Sequence, residues 1–214
     1  LVLGKHLGVS ALYCALWAPT LCLLALLRLY GGPAAALPIA SVACGYLGIF
    51  LTGQSALSLG LLASVLAPSQ LLSATLSFVV LSVLLLSGLV VDAQSSTPWL
   101  SALLSYVNQL GHMDELARGI LDSRRVIFHV SATAASLGIA TCFLRVRPGN
   151  REGLRRALLN TGVIVSICIG LNGAASRHPL RSDRTPGREY SLGPELLATL
   201  HGLSRDVDVV DLSR

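Results

Sequence analysis

Two histidines are the first residues in this chain whose type and placement could do chemistry. His112 opens the run His112-Met113-Asp114, and His129 stands alone in an apolar stretch. A histidine near a carboxylate can ligate a metal or pass a proton. A single such pair on an amphipathic helix reads as a hydrated face, and no metal is expected from it. His129 is the sharper candidate, because ionisable groups inside membrane spans mark pathways or pair with a neighbour. It follows Arg125 by about one turn, so its first reading is a satisfied histidine near the interface. The five cysteines, Cys14, Cys22, Cys44, Cys142 and Cys168, lie in apolar runs, and no two form C-x-x-C. They read as small packed side chains, not as zinc ligands or disulfides. G-x-x-x-x-G-K-[ST], H-E-x-x-H and G-x-S-x-G do not occur. The chain is therefore expected to hydrolyse no ATP itself, to need no cofactor and to carry no catalytic nucleophile.

The elements that must position these groups are set by an absence of charge. Residues 29–91, 63 in number, contain no Asp, Glu, Lys, Arg or His. A soluble helix or strand needs one wetted face, normally marked by charge every few residues. Apolar residues make up 53% of the 214-residue chain, charged residues 13%, and the mean hydropathy is +0.68. The apolar runs are continuous over about 20 residues, the length that crosses about 30 Å of hydrocarbon as a helix. Outer-membrane strands would instead alternate with period two. The formal charge is +5, but the basic residues flank apolar runs and do not interleave with aromatics, so no nucleic-acid partner is expected. The partner implied by composition is the lipid bilayer.

The first span is expected over about Val9–Tyr30, with Pro19 inside it and Gly31-Gly32-Pro33 after it. The second covers about Pro38–Leu66 and carries Ala40, Cys44 and Gly48 at small-xxx-small spacing, which permits close helix approach. After the Ala67-Pro68-Ser69 turn, a third span reaches Val91. Its 14 Leu, Val or Phe residues favour insertion by about 4–8 kcal/mol gross. Asp92–Ser123 is more polar. Leu100, Leu103, Leu104, Val107 and Leu110 trace one helical face, with Gln109, His112, Asp114, Glu115 and Arg118 opposite. This predicts one or two amphipathic helices at the membrane interface, anchored by Trp99 and Tyr106. A fourth span is expected over Val126–Leu144. A basic linker, 148–156, then leads to a fifth span over 157–176. From 177 the composition turns polar. Residues 196–203 read as a short helix and 207–212 as a strand. The fold class is all-α: a polytopic transmembrane helix bundle of about five spans plus an interfacial amphipathic helix, followed by the start of an α/β extracytoplasmic domain. The chain opens at Leu1 directly on membrane-type sequence, with no signal-peptide pattern, and reads as a piece of something longer.

Five arginines crowd the loop between the fourth and fifth spans, which the positive-inside rule places in the cytoplasm. The segment 93–123 and the tail 177–214 are then external. Arg124, Arg125, Arg177, Arg181, Arg184 and Arg188 fall on that external side, against the rule.

The residues also resemble a known family. Leu3-Gly4-Lys5 at a helix entrance, Gly45-Tyr-Leu-Gly48-Ile-Phe-Leu-Thr-Gly53, Gly60-Leu-Leu-Ala-Ser64-Val-Leu, and Gln70 opening the next span are similar to the permease subunit of type-2 ABC transporters. Within that group the resemblance is to the gliding-motility permease branch, although Ser69 stands where that branch has Asn. Leu110-Gly-His112-Met-Asp114-Glu-Leu-Ala-Arg118-Gly119-Ile-Leu-Asp122 resembles the external segment before the last permease helix. This resemblance covers about residues 1–147. Asn160–Arg177, then Arg181-Ser-Asp183-Arg-Thr185 and Tyr190-Ser191-Leu192, resemble the start of the gliding-motility auxiliary subunit, with Arg184 and Gly193 departing from its motif. The resemblance implies a fragment of a permease–auxiliary fusion holding the last four of six permease spans. It also implies a separate ATP-binding ATPase subunit, a second permease copy as dimer partner, and export across the cell (inner) membrane. A different reading keeps the chain as a non-transporting anchor or scaffold that presents an extracytoplasmic domain.

Overall fold

The computed structural model describes residues 1–31, 38–93, 98–147, 149–185, 187, 190, 191 and 202. Among them the order is α1 (Val2–Tyr30), α2 (Ile39–Leu66), α3 (Gln70–Ala93), α4 (Pro98–Val107), α5 (Gln109–Ala117), β1 (Ile120–Asp122), α6 (Ser123–Leu144), α7 (Arg151–Arg177) and β2 (Arg181–Asp183). Five helices, α1, α2, α3, α6 and α7, are long and apolar enough to cross a membrane. At 1.5 Å per residue, these spans of 20 to 29 residues reach about 30–44 Å. Their outer faces carry large apolar side chains; Phe78 is 71% and Ile169 68% exposed. This is compatible with a multi-pass membrane protein.

Helix boundaries run longer than the sequence suggests. α1 begins at Val2, not near Val9, and passes through Pro19 unbroken. α6 begins at Ser123 because the Asp122 side chain accepts the Arg124 N–H and caps it. α7 begins at Arg151, capped by Asn150 accepting from Gly153, so most of the basic linker 148–156 is the first turns of a helix. Apart from residue 202, the short helix and strand expected over 196–203 and 207–212 lie outside the described residues, and with them the bulk of the expected α/β domain.

The helices meet largely through polar contacts and small residues, as helices in lipid must when no hydrophobic gain separates helix from tail. Ser10 donates to Gln54 Oε1 (2.6 Å), Tyr13 to the Ile49 carbonyl (2.9 Å), and Thr20 pairs with Tyr46 (2.8 Å). As the α1 number rises the α2 number falls, so the two helices are antiparallel. Val2 packs on Leu137 and Ala140 of α6 and on Leu61, Leu62 and Val65 of α2. One end of the bundle thus gathers the start of α1, the ends of α2 and α6 and the start of α7. The other end holds the two strands. There β1 and β2 pair antiparallel, with Ile120 opposite Asp183 and Asp122 opposite Arg181. The segment before α6 and the tail after α7 therefore share one end of the bundle.

The amphipathic segment departs from expectation. It does not stay outside the helix packing. Asn108 adopts an extended conformation (φ −62°, ψ 97°), accepts the Gly111 N–H, and breaks the segment into α4 and α5. α4 packs on α3, and α5 packs on α2 and α3. Gln109 approaches Ser55, Leu116 lies where a Cβ on Gly48 would be 2.9 Å from it, and Gly119 lies against Ser41. α5 therefore descends antiparallel to α2 with its side chains inside the bundle.

Candidate functional site

The break at Asn108 resets the helical phase of α5. The buried stripe becomes Gln109, His112 and Leu116, while Leu110 is exposed. His112, expected on a hydrated face, is 1% exposed, and His129 is fully buried. The hydrated-face reading of His112 is thereby corrected. His129 is satisfied, as its bland reading holds, but by a second histidine and a serine from other elements.

Four elements converge here. Ser55 of α2 lies 3.0 Å from His129 Nδ1 of α6. His129 Nε2 lies 3.4 Å from His112 Nδ1 of α5. His112 Nε2 is 2.8 Å from the Arg125 guanidinium and 3.1 Å from the Tyr106 carbonyl of α4. Arg125 in turn makes a two-pronged ion pair with Glu115, at 2.9 and 3.0 Å. Gln109 donates to Ser55 Oγ over 3.4 Å. Phe128 stands edge-on to His112, His129 and Tyr106, with ring centroids 5.0–5.6 Å apart, and closes the apolar side.

A guanidinium can only donate and a carbonyl can only accept, so His112 Nε2 either accepts from Arg125 or donates to the Tyr106 carbonyl, according to its tautomer. With Nε2 as acceptor, His112 Nδ1–H donates to His129 Nε2 and His129 Nδ1–H donates to Ser55 Oγ; with Nε2 as donor, both contacts run the other way. Ser55 Oγ also lies within donating distance, 2.8 Å, of the Thr52 carbonyl. The arrangement requires both rings neutral. For His112, burial first, then the Arg125 charge and His129, push its pKa down from 6.5 to about 3. The Tyr106 hydroxyl, raised by its own burial, donates to Asn172 of α7 at 2.6 Å, and Asn172 donates to Ser131 of α6 at 2.8 Å.

The network can hold polar groups without charge and lock α5 to α2 and α6. No group of three or more His, Cys, Asp or Glu that could hold a metal occurs among the described residues.

A second constellation joins the two motif segments. The Asp183 carboxylate accepts from Thr185 N–H (2.9 Å), Thr185 Oγ1 (2.6 Å) and Tyr190 N–H (2.9 Å), and Ser191 adds a side-chain bond. These bonds, Thr185 first, hold its pKa below the usual carboxylate range. Arg118 pairs with Asp114 at 2.9 Å and reaches Tyr190. Asp122 binds Arg124; burial would raise its carboxyl, but those bonds together hold it low. Asp114, Arg118, Asp183, Tyr190 and Ser191 thus gather at the strand end, with Asp122 and Gly119 beside them. Gly119 takes a positive φ (+86°) at the turn into β1. Gly48, Gly53, Gly60, Ser64 and Gln70 lie apart from both constellations. Gly48 receives Leu116, Gly53 faces the Tyr13 ring, Gly60 has only Ser77 at 3.9 Å, Ser64 lines a groove beside α1, and Gln70 starts α3.

Ser55, Glu115 and Arg125 are the site residues that sequence reasoning did not nominate. The Arg125/His129 spacing of four was visible; the partner on α2, 74 residues from His129, carried no local signal. Comparison of the chain with protein-family models, with curated proteins and with solved structures finds no match.

Proposed function

We propose that this chain is a membrane-spanning permease component of an ATP-binding-cassette transporter, an exporter of the cell membrane, driven by a separate ATPase subunit. The observation that carries the membrane reading is the set of five long helices whose outer faces present Leu, Val, Ile and Phe. Such faces are stable against hydrocarbon and not against water. The transporter class rests on the motif resemblance in residues 1–147. The folding of α4 and α5 back into the bundle supports it, because a permease must keep polar side chains such as His112 and His129 inside and apolar ones outside. In this reading ATP binding on the partner subunits, at the basic end, tilts the helices of two permease copies between inward- and outward-facing states.

The anchor or scaffold reading draws on one observation: α7 packs on α6 and leads straight into β2, as a presenting helix would. One experiment separates the two. The full-length parent protein is purified in mild detergent and assayed for ATP hydrolysis. Stoichiometric recovery of an ATPase, inactive when its phosphate-binding lysine is replaced, is the expected result. A clean preparation with no ATPase would overturn the transporter reading and favour the anchor.

A further inference from the structure

The basic end of the bundle contains a cleft that is built differently from the rest of the surface. α6 and α7 run antiparallel, and two i,i+4 pairs face each other across them: Thr141 on α6 with Arg145 at its C-cap, and Asn160 and Arg156 on α7. The register is consistent along the whole hairpin. Ile164 reaches Gly138, and Asn172 reaches Ser131. Gly153 and the buried Ala157 leave room between the helices, and the cleft encloses about 400 Å³. Its two arginines stand at the mouth, and Thr141 and Asn160 lie one turn, about 5.4 Å, deeper. Arg145 makes no ion pair among the described residues; Arg156 holds Glu152 at 2.5 Å. The surroundings are basic: Arg147, Arg151 and Arg155 share this end, and Glu152 is the one acid on the segment 145–156.

We infer that this cleft binds the headgroup of an anionic phospholipid. Two guanidiniums from facing helices suit a phosphodiester, whose oxygens accept the planar N–H fork. One turn deeper, the Asn160 amide can donate to a glycerol ester carbonyl. Thr141 donates to the Gly138 carbonyl at 2.7 Å, so its oxygen is left as an acceptor for a headgroup hydroxyl. Below this level α7 exposes Val163 and Ile167, which would lie along the acyl chains. A headgroup at this depth, with chains running down the helices, is what a basic pocket between spans selects on the cytoplasmic side. The inference rests on the membrane reading but not on the transporter reading.

The test uses the full chain expressed in bacterial membranes. Resistance to alkaline carbonate extraction is measured first, because extraction of the chain would overturn the membrane reading and this inference with it. The inserted protein is then purified in mild detergent, and bound phosphatidylglycerol and phosphatidylcholine are counted by native mass spectrometry. Retention of about one phosphatidylglycerol, with little phosphatidylcholine, is expected. Each lost guanidinium should weaken retention about fivefold, and the Arg145→Gln/Arg156→Gln pair about 25-fold. Arg147→Gln/Arg155→Gln removes the same charge outside the cleft and should leave retention within about twofold. Arg145→Lys/Arg156→Lys, which keeps charge and loses the fork, should fall between, and helical circular dichroism should match wild type in all three. Equal loss in the two Gln pairs, no preference between the lipids, or full displacement by glycerol phosphate alone would each overturn the assignment to a lipid.

Discussion

At the scale of single residues, the buried histidine pair governs what this chain tolerates. Its neutrality sets a sign. His112 has a folded pKa of about 3 against 6.5 unfolded, so the unfolded chain binds more protons between these values. The contribution is complete above pH 6.5 and is lost as pH falls towards 3. Thermal unfolding in detergent should show a midpoint that is flat above pH 7 and drops on acidification. His112→Gln should make that drop shallower; an unchanged slope would refute the assignment. His129→Ala removes the ring that bridges His112 Nδ1 and Ser55 Oγ in a buried place, leaving the His112 Nδ1 side unmatched and Ser55 one contact short. At about 1–3 kcal/mol for each unsatisfied group, it should be among the most damaging single changes, with His129→Gln restoring part of the loss. The exposed Arg118–Asp114 pair, by contrast, is screened by water and contributes little.

At the scale of elements, the motif glycines divide by what they meet. A Cβ on Gly48 would lie 2.9 Å from Leu116 Cβ, and one on Gly53 would fall into the Tyr13 ring. A Cβ on Gly60 would meet nothing closer than 3.9 Å. Gly48→Ala should push α5 off α2 and cost about 1–3 kcal/mol, whereas Gly60→Ala should be neutral or slightly stabilising. Unfolding midpoints of the two variants, compared side by side, decide it; equal effects would contradict the packing described. The same elements show where sequence was informative. The five long helices were legible because hydrocarbon demands long uncharged runs, and that demand is written residue by residue. The course of 93–123 was not. A continuous helix starting at Leu100 puts His112 outside; the local bond from Asn108 to Gly111 resets the phase and puts it inside. Helix starts were misplaced at Val2, Ser123 and Arg151 because capping and packing carry the helix into charged sequence that hydropathy treats as loop. Small-xxx-small spacing was visible around Gly48, yet nothing local told that its partner would be Leu116.

At the scale of the whole molecule, the described chain has a basic end and a strand end, and the segment before α6 and the tail after α7 meet at the second. Asp183, Thr185 and Tyr190 from the tail sit beside Arg118 and β1 from the segment before α6. The strand register makes this testable. Leu121 and Ser182 are direct Cα partners, so cysteines at both should oxidise to a disulfide in membranes without added cross-linker. Leu121→Cys paired with a cysteine at Ala174, on α7, should not. Failure of the first pair would mean that the tail does not dock as described.

The pairing of β1 with β2 has one further consequence. Arg184 N–H donates to the Gly119 carbonyl at 3.0 Å, so 66 residues, 119–184, leave and return at one point. In polymer terms the last two long helices form a closed ring whose junction is a clamp and not a tether. The chain leaves Asp183 with its heading already fixed. A torque applied there is handed to Asp122, the cap of α6, two turns from His129, instead of being lost in a freely swivelling linker.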